Sequence, residues 1–177
     1  TVSAYTMGKA RAKIDRNNTM ENILCIQMHT DAAFSGQGLA SELLQLSKLS
    51  GYSVNGSIHV VVNNKIGFTT SEEEGRSSHY CTDIAKMIEA PVLHVNGDDL
   101  DAIIQSASLA LMYRKKFKSD ILIDLVCYRK YGHNELDEPR FTDPLLYKKI
   151  DNKVSSIDQC QGKFQDDFNA KKFRKII

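Results

Sequence analysis

Apolar residues gather in four short runs that recur at regular intervals along the chain. Each run is continuous rather than alternating and is rich in β-branched residues, which is typical of strands buried on both faces of a parallel sheet. Segments with helical periodicity separate the runs, so strands and helices are expected to alternate. The four runs are residues 23–28, 58–62, 91–95 and 121–127.

The helical segments differ in length. A leucine stripe after Gly38 predicts one helix, a shorter pattern with Thr82 or Asp83 as N-cap predicts a second, and Leu100–Phe117 predicts the longest. The expected apolar positions are Leu39, Leu43, Leu44 and Leu46 in the first helix, Ile84, Met87 and Ile88 in the second, and Ile103, Ile104, Ala107, Leu111 and Tyr113 in the third.

This alternation predicts an α/β fold, a parallel sheet with helices on both faces and right-handed crossovers. The length fits one domain, which we place at residues 1–150. Residues 151–177 lack a strong period and are expected to form a divergent tail, helical or loose. In such sheets ligands bind beyond the carboxyl ends of the strands, so the residues after each strand matter most.

Charge and composition argue against several function classes. The formal net charge is +1, so no nucleic-acid or membrane surface is expected, and no apolar run is long enough to span a bilayer. The basic cluster at residues 171–175 predicts a solvated tail. Cys25 and Cys127 fall within apolar strand patterns and predict buried thiols, which favour a reducing compartment. His59 and His94 lie inside strands and predict structural roles.

The most informative polar residues follow the first two strands. Asp31 follows the first and Asn64 the second, and the carboxyl ends of neighbouring parallel strands meet at one edge of a sheet. Mg²⁺ prefers hard oxygen ligands and keeps phosphate oxygens in its shell. The Asp31 carboxylate, the Asn64 side-chain oxygen and a backbone carbonyl soon after Asn64 would supply the protein's share. Small residues at Ala32 and Ala33 let backbone N–H groups approach phosphate.

Gly36 and Gly38 permit a turn into a helix whose N-terminus favours anions. Two alternatives stay open for this segment. In the first, Asp31 caps an ordinary αβ turn, and Asn63-Asn64 forms a β-turn. The second is a Rossmann dinucleotide site. It is disfavoured because no GxGxxG follows the first strand and no ribose-binding acid follows the second.

Five segments, in this order, resemble the decarboxylating component of the 2-oxoglutarate dehydrogenase family, including its 2-oxoadipate branch. The resemblance covers residues 7–150, and its motifs are specific in combination. The segments are HTDAAFSGQG at residues 29–38, VVVNNKIGFTT at 60–70, RSSHYCTDI at 76–84, HVNGDD at 94–99 and YRKYGHNELDEP at 128–139.

The resemblance implies a thiamine diphosphate-binding fold, with thiamine diphosphate and Mg²⁺ as cofactors. The family's magnesium ligands match Asp31, Asn64 and the main-chain oxygen of Ile66. Ala32 and Ala33 match positions that contact the diphosphate. His133 lies in the family's GHNE loop and matches a cofactor contact, whereas without the resemblance it could equally be a loop histidine that caps a turn with Asn134.

The implied reaction is oxidative decarboxylation of a small dicarboxylic 2-oxo acid, with acyl transfer to a lipoyl group on a partner acyltransferase. The resemblance also implies a homodimer and the mitochondrial matrix, although no leader is visible. No catalytic residue can be assigned within this span, so we expect the chain alone to be inactive. The exposed apolar surface of a half-enzyme would favour self-association.

An alternative is a truncated or degenerate subunit with only an assembly role. It is favoured by three departures from the family pattern: Thr30, an altered start at residues 2–6 and a tail from residue 151 that shows no resemblance. Thr30 stands where the family usually has Gly, and a β-branched residue there needs an ordinary extended conformation. Lys65 stands where Gln is usual, and we expect its side chain to lie in solvent. A nicotinamide-binding module ranks far below both readings.

Overall fold

The computed structural model describes residues 2–17, 22–156 and 158–159. The tail expected after Asp151, with Cys160 and the basic cluster at 171–175, therefore lies largely outside the described residues. In chain order these residues form α1 (Val2–Asn17), β1 (Cys25–Thr30), α2 (Asp31–Gly36), α3 (Gly38–Leu46), β2 (Ser57–Asn63), β3 (Ile66–Gly67), β4 (Thr70–Ser71), α4 (Glu72–Gly75), a 3₁₀ helix (Asp83–Ile88), β5 (Val92–Asn96), α5 (Leu100–Phe117), β6 (Ile121–Val126), a second 3₁₀ helix (Pro139–Phe141) and α6 (Pro144–Asp151).

Four strands build one parallel sheet in the order β1-β2-β6-β5. These strands fall on the four apolar runs, displaced by a few residues, and helices cover both faces. The predicted α/β architecture is thus confirmed. A separate antiparallel pair, β3 with β4, follows β2 and had no signal in the hydrophobic pattern.

The chain divides into two compact units. The first contains the described residues up to Gly97 together with Asp101–Arg129, and it holds the whole sheet. The second contains Asp98–Leu100 and the described residues from Lys130 onward, including α6. Asp98 joins this second unit through Ser156, whose hydroxyl donates to its carboxylate at 2.9 Å, and through an ion pair with Lys153.

The two faces of the sheet carry different helices. On one face α5 packs over Ile58, Val95, Ile121 and Ile123, and its own Ala110 is fully buried against them. On the other face α1, α3 and the first 3₁₀ helix form two apolar clusters. Their buried members are Met7, Ala10, Ile14, Cys25, Leu43 and Val54 in one cluster, and Phe34, Leu44, Val61, Cys81, Ala85, Ile88, Ala90 and Leu122 in the other.

The apolar side predicted for α5 is partly wrong. Ile104 and Leu111 are 56% and 48% exposed, whereas Ser106 and Arg114 are buried with Ala110. The hydrophobic pattern counts only apolar residues and so misses a charged residue that is buried with its partners. The Arg114 guanidinium donates to three backbone carbonyls just before the amino-terminal ends of β1 and β2. They are those of Ile23 at 2.7 Å, Gly56 at 3.1 Å and Val54 at 3.1 Å.

The second predicted helix is also corrected. It is a 3₁₀ helix, Thr82 makes no side-chain capping bond, and Met87 is 47% exposed. Asp83 instead accepts a hydrogen bond from the Tyr80 backbone N–H at 3.0 Å and pairs with Lys86 at 2.7 Å. The short 3₁₀ turn explains the exposure of Met87, because its side chains do not follow the α-helical period.

The two cysteines of the predicted strands differ in burial. Cys25 is buried as predicted, but Cys127 lies beyond β6 and is only half-buried. Helix α1 was not predicted from the sequence, although Met7, Ala10 and Ile14 have the spacing of one helical face. Among the described residues, no helix combines the length and the apolar character needed to cross a membrane.

Candidate functional site

Asp31 stands at the carboxyl end of the edge strand β1 and begins α2. Its residue is 2% exposed, and its Oδ1 has no hydrogen-bond donor among the described residues. Thr30 is in register with Val62 of β2, so Asp31 lies beside Asn63 at the same edge of the sheet. A buried carboxylate oxygen without a donor is costly and calls for a partner from outside the chain, such as a cation.

The local backbone differs from the predicted glycine turn. The helix begins at Asp31 itself, so Ala32 and Ala33 lie in its first turn, where helical N–H groups lack carbonyl partners. Gln37, in an extended conformation, separates α2 from α3. A Cβ added to Gly36 or Gly38 would meet no other group within 4 Å, and neither residue has a positive φ, so the turn does not require glycine at either position.

Thr30 is accommodated without backbone strain. Its φ of −92° and ψ of 152° are those of an ordinary strand residue, and its side chain is exposed. It makes no side-chain capping bond to α2. The extended conformation expected for a β-branched residue at this position is confirmed.

The turn after β2 is organised by two asparagines. The Lys65 backbone N–H donates to Asn63 Oδ1 at 3.3 Å, and the Ile66 N–H donates to Asn64 Oδ1 at 3.2 Å. Lys65 has a φ of +63°, which completes the reversal. These are the contacts expected of a structural turn, yet the Asn64 oxygen keeps a second lone pair with which it can bind a cation.

The turn after β2 and the start of α2 converge. A Cβ placed on Gly67 would lie 2.9 Å from Ala32 Cβ, closer than two carbons can pack, so glycine is required there. The Lys65 backbone N–H also lies near enough to the Asp31 carboxylate to stabilise its charge. The structure therefore places the start of α2, with Asp31 and Ala32, against the segment after β2 that contains Asn64 and Ile66.

Burial raises the pKa of the Asp31 carboxyl above its ordinary value. The backbone N–H of Ala32, the nearby Arg76 guanidinium and the Lys65 N–H act in the opposite direction. The groups around Asp31 therefore compensate the negative charge of its carboxylate only in part. Binding of a cation would favour the ionised form of this carboxyl.

A second buried acid, Asp124, holds the turn after β2 in place through Asn63. It is 0% exposed, its Oδ1 accepts from Asn63 Nδ2 at 3.0 Å, and its Oδ2 lies 2.8 Å from His94 Nδ1. Asn63 in turn holds the Lys65 N–H. Asp124 was not predicted from the sequence as a functional residue, although an acid in the middle of the apolar run 121–127 is itself a signal.

A chain of polar side chains crosses the same face from the carboxyl end toward the amino end. His29 Nε2 lies 3.2 Å from His59 Nδ1, and His59 Nε2 lies 3.4 Å from the buried Asp120. Burial, with a further contribution from His59, lowers the pKa of His29 to about 4. The neutral His29 imidazole is thus a fixed packing and hydrogen-bonding group beside Phe34.

His133 belongs to the second unit, whereas Asp31 belongs to the first. It is exposed, and it lines a pocket formed by its own loop with Gly132 and Asn134. The loop is closed locally by the Asn134 backbone N–H, which donates to Asp137 Oδ2 at 2.9 Å.

The donor set around Asp31 suits one kind of metal. The described residues contain no cluster of three or more His, Cys, Asp or Glu side chains that could hold an ion. One carboxylate, one amide oxygen and a backbone carbonyl are too few and too hard for a structural zinc site. They fit Mg²⁺, which takes its remaining ligands from phosphate and water.

Comparison with known proteins shows the family of this chain. The family model described as "Dehydrogenase E1 component" matches residues 2–167. That match runs beyond residue 150, where the motif resemblance ends. The match covers most of the chain. It therefore includes both the four-stranded sheet and the loops at the carboxyl edge of that sheet.

Individual relatives of the chain bear names of the same family. The chain is 54% identical over 154 residues to an oxoglutarate dehydrogenase of Buchnera aphidicola, covering 85% of this chain and 17% of the relative. It is 46% identical over 164 residues to a mitochondrial 2-oxoglutarate dehydrogenase of Dictyostelium discoideum, covering 92% and 16%. It is 49% identical over 138 residues to a 2-oxoadipate dehydrogenase complex component E1 of Danio rerio, covering 78% and 15%.

These relatives are far longer than the chain, which spans 15% to 17% of their length. Mitochondrial and bacterial proteins are both among them. The agreement across the aligned span nevertheless gives one result: the chain belongs to the dehydrogenase E1 component family of oxidoreductases.

Proposed function

We propose that this chain binds the diphosphate of thiamine diphosphate through one Mg²⁺, as part of a 2-oxoglutarate or 2-oxoadipate dehydrogenase. The observation that carries the proposal is the buried Asp31 Oδ1 without a donor, beside the Asn64 turn. Membership of the dehydrogenase E1 component family, which implies thiamine diphosphate, supports it independently.

In the proposed site Asp31 and Asn64 supply side-chain oxygens, and Ile66 supplies its main-chain oxygen. Ala32 and Ala33 border the diphosphate, because they carry no side chain that would keep phosphate from the first turn of α2. Asp124 holds Asn63, and through it the turn, in place. The role of His133 as a cofactor contact remains a prediction from its loop motif.

When bound, thiamine diphosphate supplies the carbanion-stabilising chemistry by which a 2-oxo acid loses carbon dioxide. This chain contributes binding and orientation. Its charged and hydrogen-bonding groups are fixed before the cofactor arrives, since Asp31 lies in a helix and Asn63 on a strand. Such preorganisation means that little ordering is needed on binding.

The remaining parts of the proposal come from the family resemblance. The substrate is a small dicarboxylic 2-oxo acid, the acceptor is a lipoyl group on an acyltransferase, and the subunits form a homodimer. Location in the mitochondrial matrix belongs to the same proposal. Residues 151–177 are proposed to be a tail outside the cofactor-binding domain of residues 1–150, and the chain alone is proposed to be inactive.

Isothermal titration with thiamine diphosphate tests the proposal, in Mg²⁺ and again in excess EDTA. Binding is expected only with Mg²⁺. Asp31→Ala is expected to abolish it, because the metal loses its one carboxylate ligand. Asp15→Ala is the matched control, since Asp15 is an exposed acid of α1 whose ion pair, within the part of the chain that the structure describes, is with Arg11.

Circular dichroism of each variant separates lost binding from lost folding. Equal affinity of wild type and Asp31→Ala would contradict the metal site. A folded wild-type chain that binds no thiamine diphosphate would contradict the cofactor proposal and favour the assembly role. A decarboxylation assay on the same samples tests inactivity, and clear turnover would contradict it.

A further inference from the structure

A second charged group at this edge of the sheet has an unfilled hydrogen-bonding position. The Arg76 side chain is 10% exposed, and its Nε is buried without an acceptor among the described residues. An arginine placed in the interior normally has carboxylate, carbonyl or phosphate oxygens on all its donors. The free Nε–H of Arg76 therefore indicates a missing acceptor.

The Arg76 guanidinium is held from one side by Glu72. Its Nη2 donates to Glu72 Oε2 at 2.7 Å, and Lys65 Nζ donates to Glu72 Oε1 at 3.0 Å. Although partial burial acts to raise the pKa of Glu72, these two hydrogen bonds hold it below its ordinary value. Glu72 is therefore an ionised anchor that fixes one edge of the guanidinium and leaves Nε facing elsewhere.

The position of Arg76 connects it to the carboxylate of Asp31. It follows α4, and α4 follows the β3–β4 pair that presses Gly67 against Ala32. Its charge is close enough to Asp31 to act on that carboxyl, and close enough to act on Cys81. Even so, Asp31 Oδ1 and Arg76 Nε make no hydrogen bond with each other.

Two buried, unsatisfied atoms of opposite character thus lie in one neighbourhood. A metal cation alone would satisfy the Asp31 oxygen and repel the guanidinium. An anion alone would satisfy Arg76 and repel the carboxylate. A cation with a polyphosphate anion bound to it satisfies both, because phosphate oxygens accept from guanidinium N–H groups while their neighbours bind the metal.

We propose that Arg76 is a diphosphate-binding residue, which donates its Nε–H to a phosphate oxygen of the metal-bound diphosphate while Glu72 holds it in position. The inference rests on the proposed function and deepens it. Under this proposal the Arg76 guanidinium compensates part of the negative charge of the diphosphate, in addition to the metal and the backbone N–H groups.

The test measures the affinity of the whole chain for Mg²⁺ with inorganic pyrophosphate, and for Mg²⁺ with thiamine diphosphate. Arg76→Gln is expected to weaken both by about tenfold to a hundredfold, the loss of a charge-assisted hydrogen bond. Arg76→Lys is expected to recover only part of this, since lysine lacks the fixed fork of donors. Glu72→Gln is expected to weaken the affinity for both ligands by a smaller factor than Arg76→Gln.

Lys86→Gln is the matched charge control. Lys86 is 77% exposed at its side chain and pairs with Asp83 on the first 3₁₀ helix, so its loss removes one positive charge from the same unit. It is expected to leave both affinities unchanged. Equal weakening by Lys86→Gln and Arg76→Gln would overturn the proposal in favour of a general effect of net charge.

A measurement on the wild-type chain keeps the test decisive if Arg76→Gln does not fold. The ¹⁵N resonance of the Arg76 Nε–H, assigned by its loss in Arg76→Lys, is expected to shift and its exchange to slow with Mg²⁺ and pyrophosphate. No change in that resonance at saturation would overturn the inference. Wild type that binds neither ligand would overturn the proposed function, whereas wild type and Arg76→Gln that bind equally would overturn only the role of Arg76.

Discussion

The two faces of the central sheet are built from the same four strands but by different chemistry. The face under α5 is packed with aliphatic side chains such as Ile58, Ile121 and Ile123. The opposite face buries Asp124 and Asn63 among its apolar neighbours, in contact with each other. The apolar face supplies stability, whereas the polar face also fixes the loop that carries the candidate site.

A single strand illustrates the contrast. Ile123 and Asp124 are adjacent on β6, and their side chains point to opposite faces because strand residues alternate. Ile123 packs in the α5 cluster, whereas Asp124 bonds to Asn63 and His94. Substitutions at these two neighbours therefore separate the roles of the two faces.

Asp124→Ala should produce the largest effect. It leaves Asn63 Nδ2 and His94 Nδ1 without their buried partner, so the free energy of unfolding should fall by about 2–4 kcal/mol. Because Asn63 then loses its anchor, the affinity for thiamine diphosphate with Mg²⁺ should fall as well. Urea denaturation and isothermal titration measure the two effects. Unchanged affinity in a folded Asp124→Ala chain would break the link between the polar face and the site.

Ile123→Val should have a smaller effect of one kind only. Loss of one buried methylene group from the α5 cluster is expected to lower the free energy of unfolding by about 1 kcal/mol. Cofactor affinity should stay at the wild-type value, because Ile123 packs on the face under α5, opposite the face that holds Asn63. A comparable loss of affinity in both variants would show that stability alone, and not the polar face, controls binding.

The pH dependence of folding should report on the polar face through His29. Its pKa is about 4 in the folded chain and 6.5 as the ordinary value, so between these values the unfolded chain binds more protons than the folded one. The free energy of unfolding should therefore fall as the pH drops from about 6.5 towards 4. His29→Gln should flatten this slope in the metal-free protein, as measured by urea denaturation at each pH. An unchanged slope would assign the effect to other groups.

Much of the fold could be predicted because its signals are local. The continuous runs of the four sheet strands, the leucine stripe of α3 and the length of α5 each follow from neighbouring residues. The side of α5 that faces the sheet could not be predicted, because Arg114 is buried by carbonyls of residues distant in sequence. The same is true of the β3–β4 pair, which consists of only two residues per strand.

The candidate site divides in the same way. Asp31 and Asn64 could be predicted since each directly follows a strand, and parallel neighbours place such residues together. Gly67 and Arg76 could not, because their importance depends on how the segment after β2 folds back against α2. Asp124 was hidden inside a run that resembles an ordinary buried strand.

Thiol labelling should give the smallest effect, because it perturbs nothing in the fold. Burial raises the pKa of the Cys81 thiol to about 12, and Cys25 is 2% exposed, whereas Cys127 is half-buried beyond β6. In a Cys160→Ser background, an aromatic disulfide reagent should modify Cys127 first. Cys127→Ser should remove the fast phase. Equally rapid labelling of Cys81 would indicate that the polar face opens readily.

Anomalous diffraction from crystals grown with Mn²⁺ and thiamine diphosphate tests the central claim most directly, because Mn²⁺ replaces Mg²⁺ and is located without reference to the protein. We predict one metal peak within about 2.0–2.3 Å of both Asp31 Oδ1 and Asn64 Oδ1, with diphosphate oxygens completing its shell. A fully occupied metal and diphosphate bound elsewhere, with Asp31 Oδ1 satisfied by a protein donor, would contradict the account.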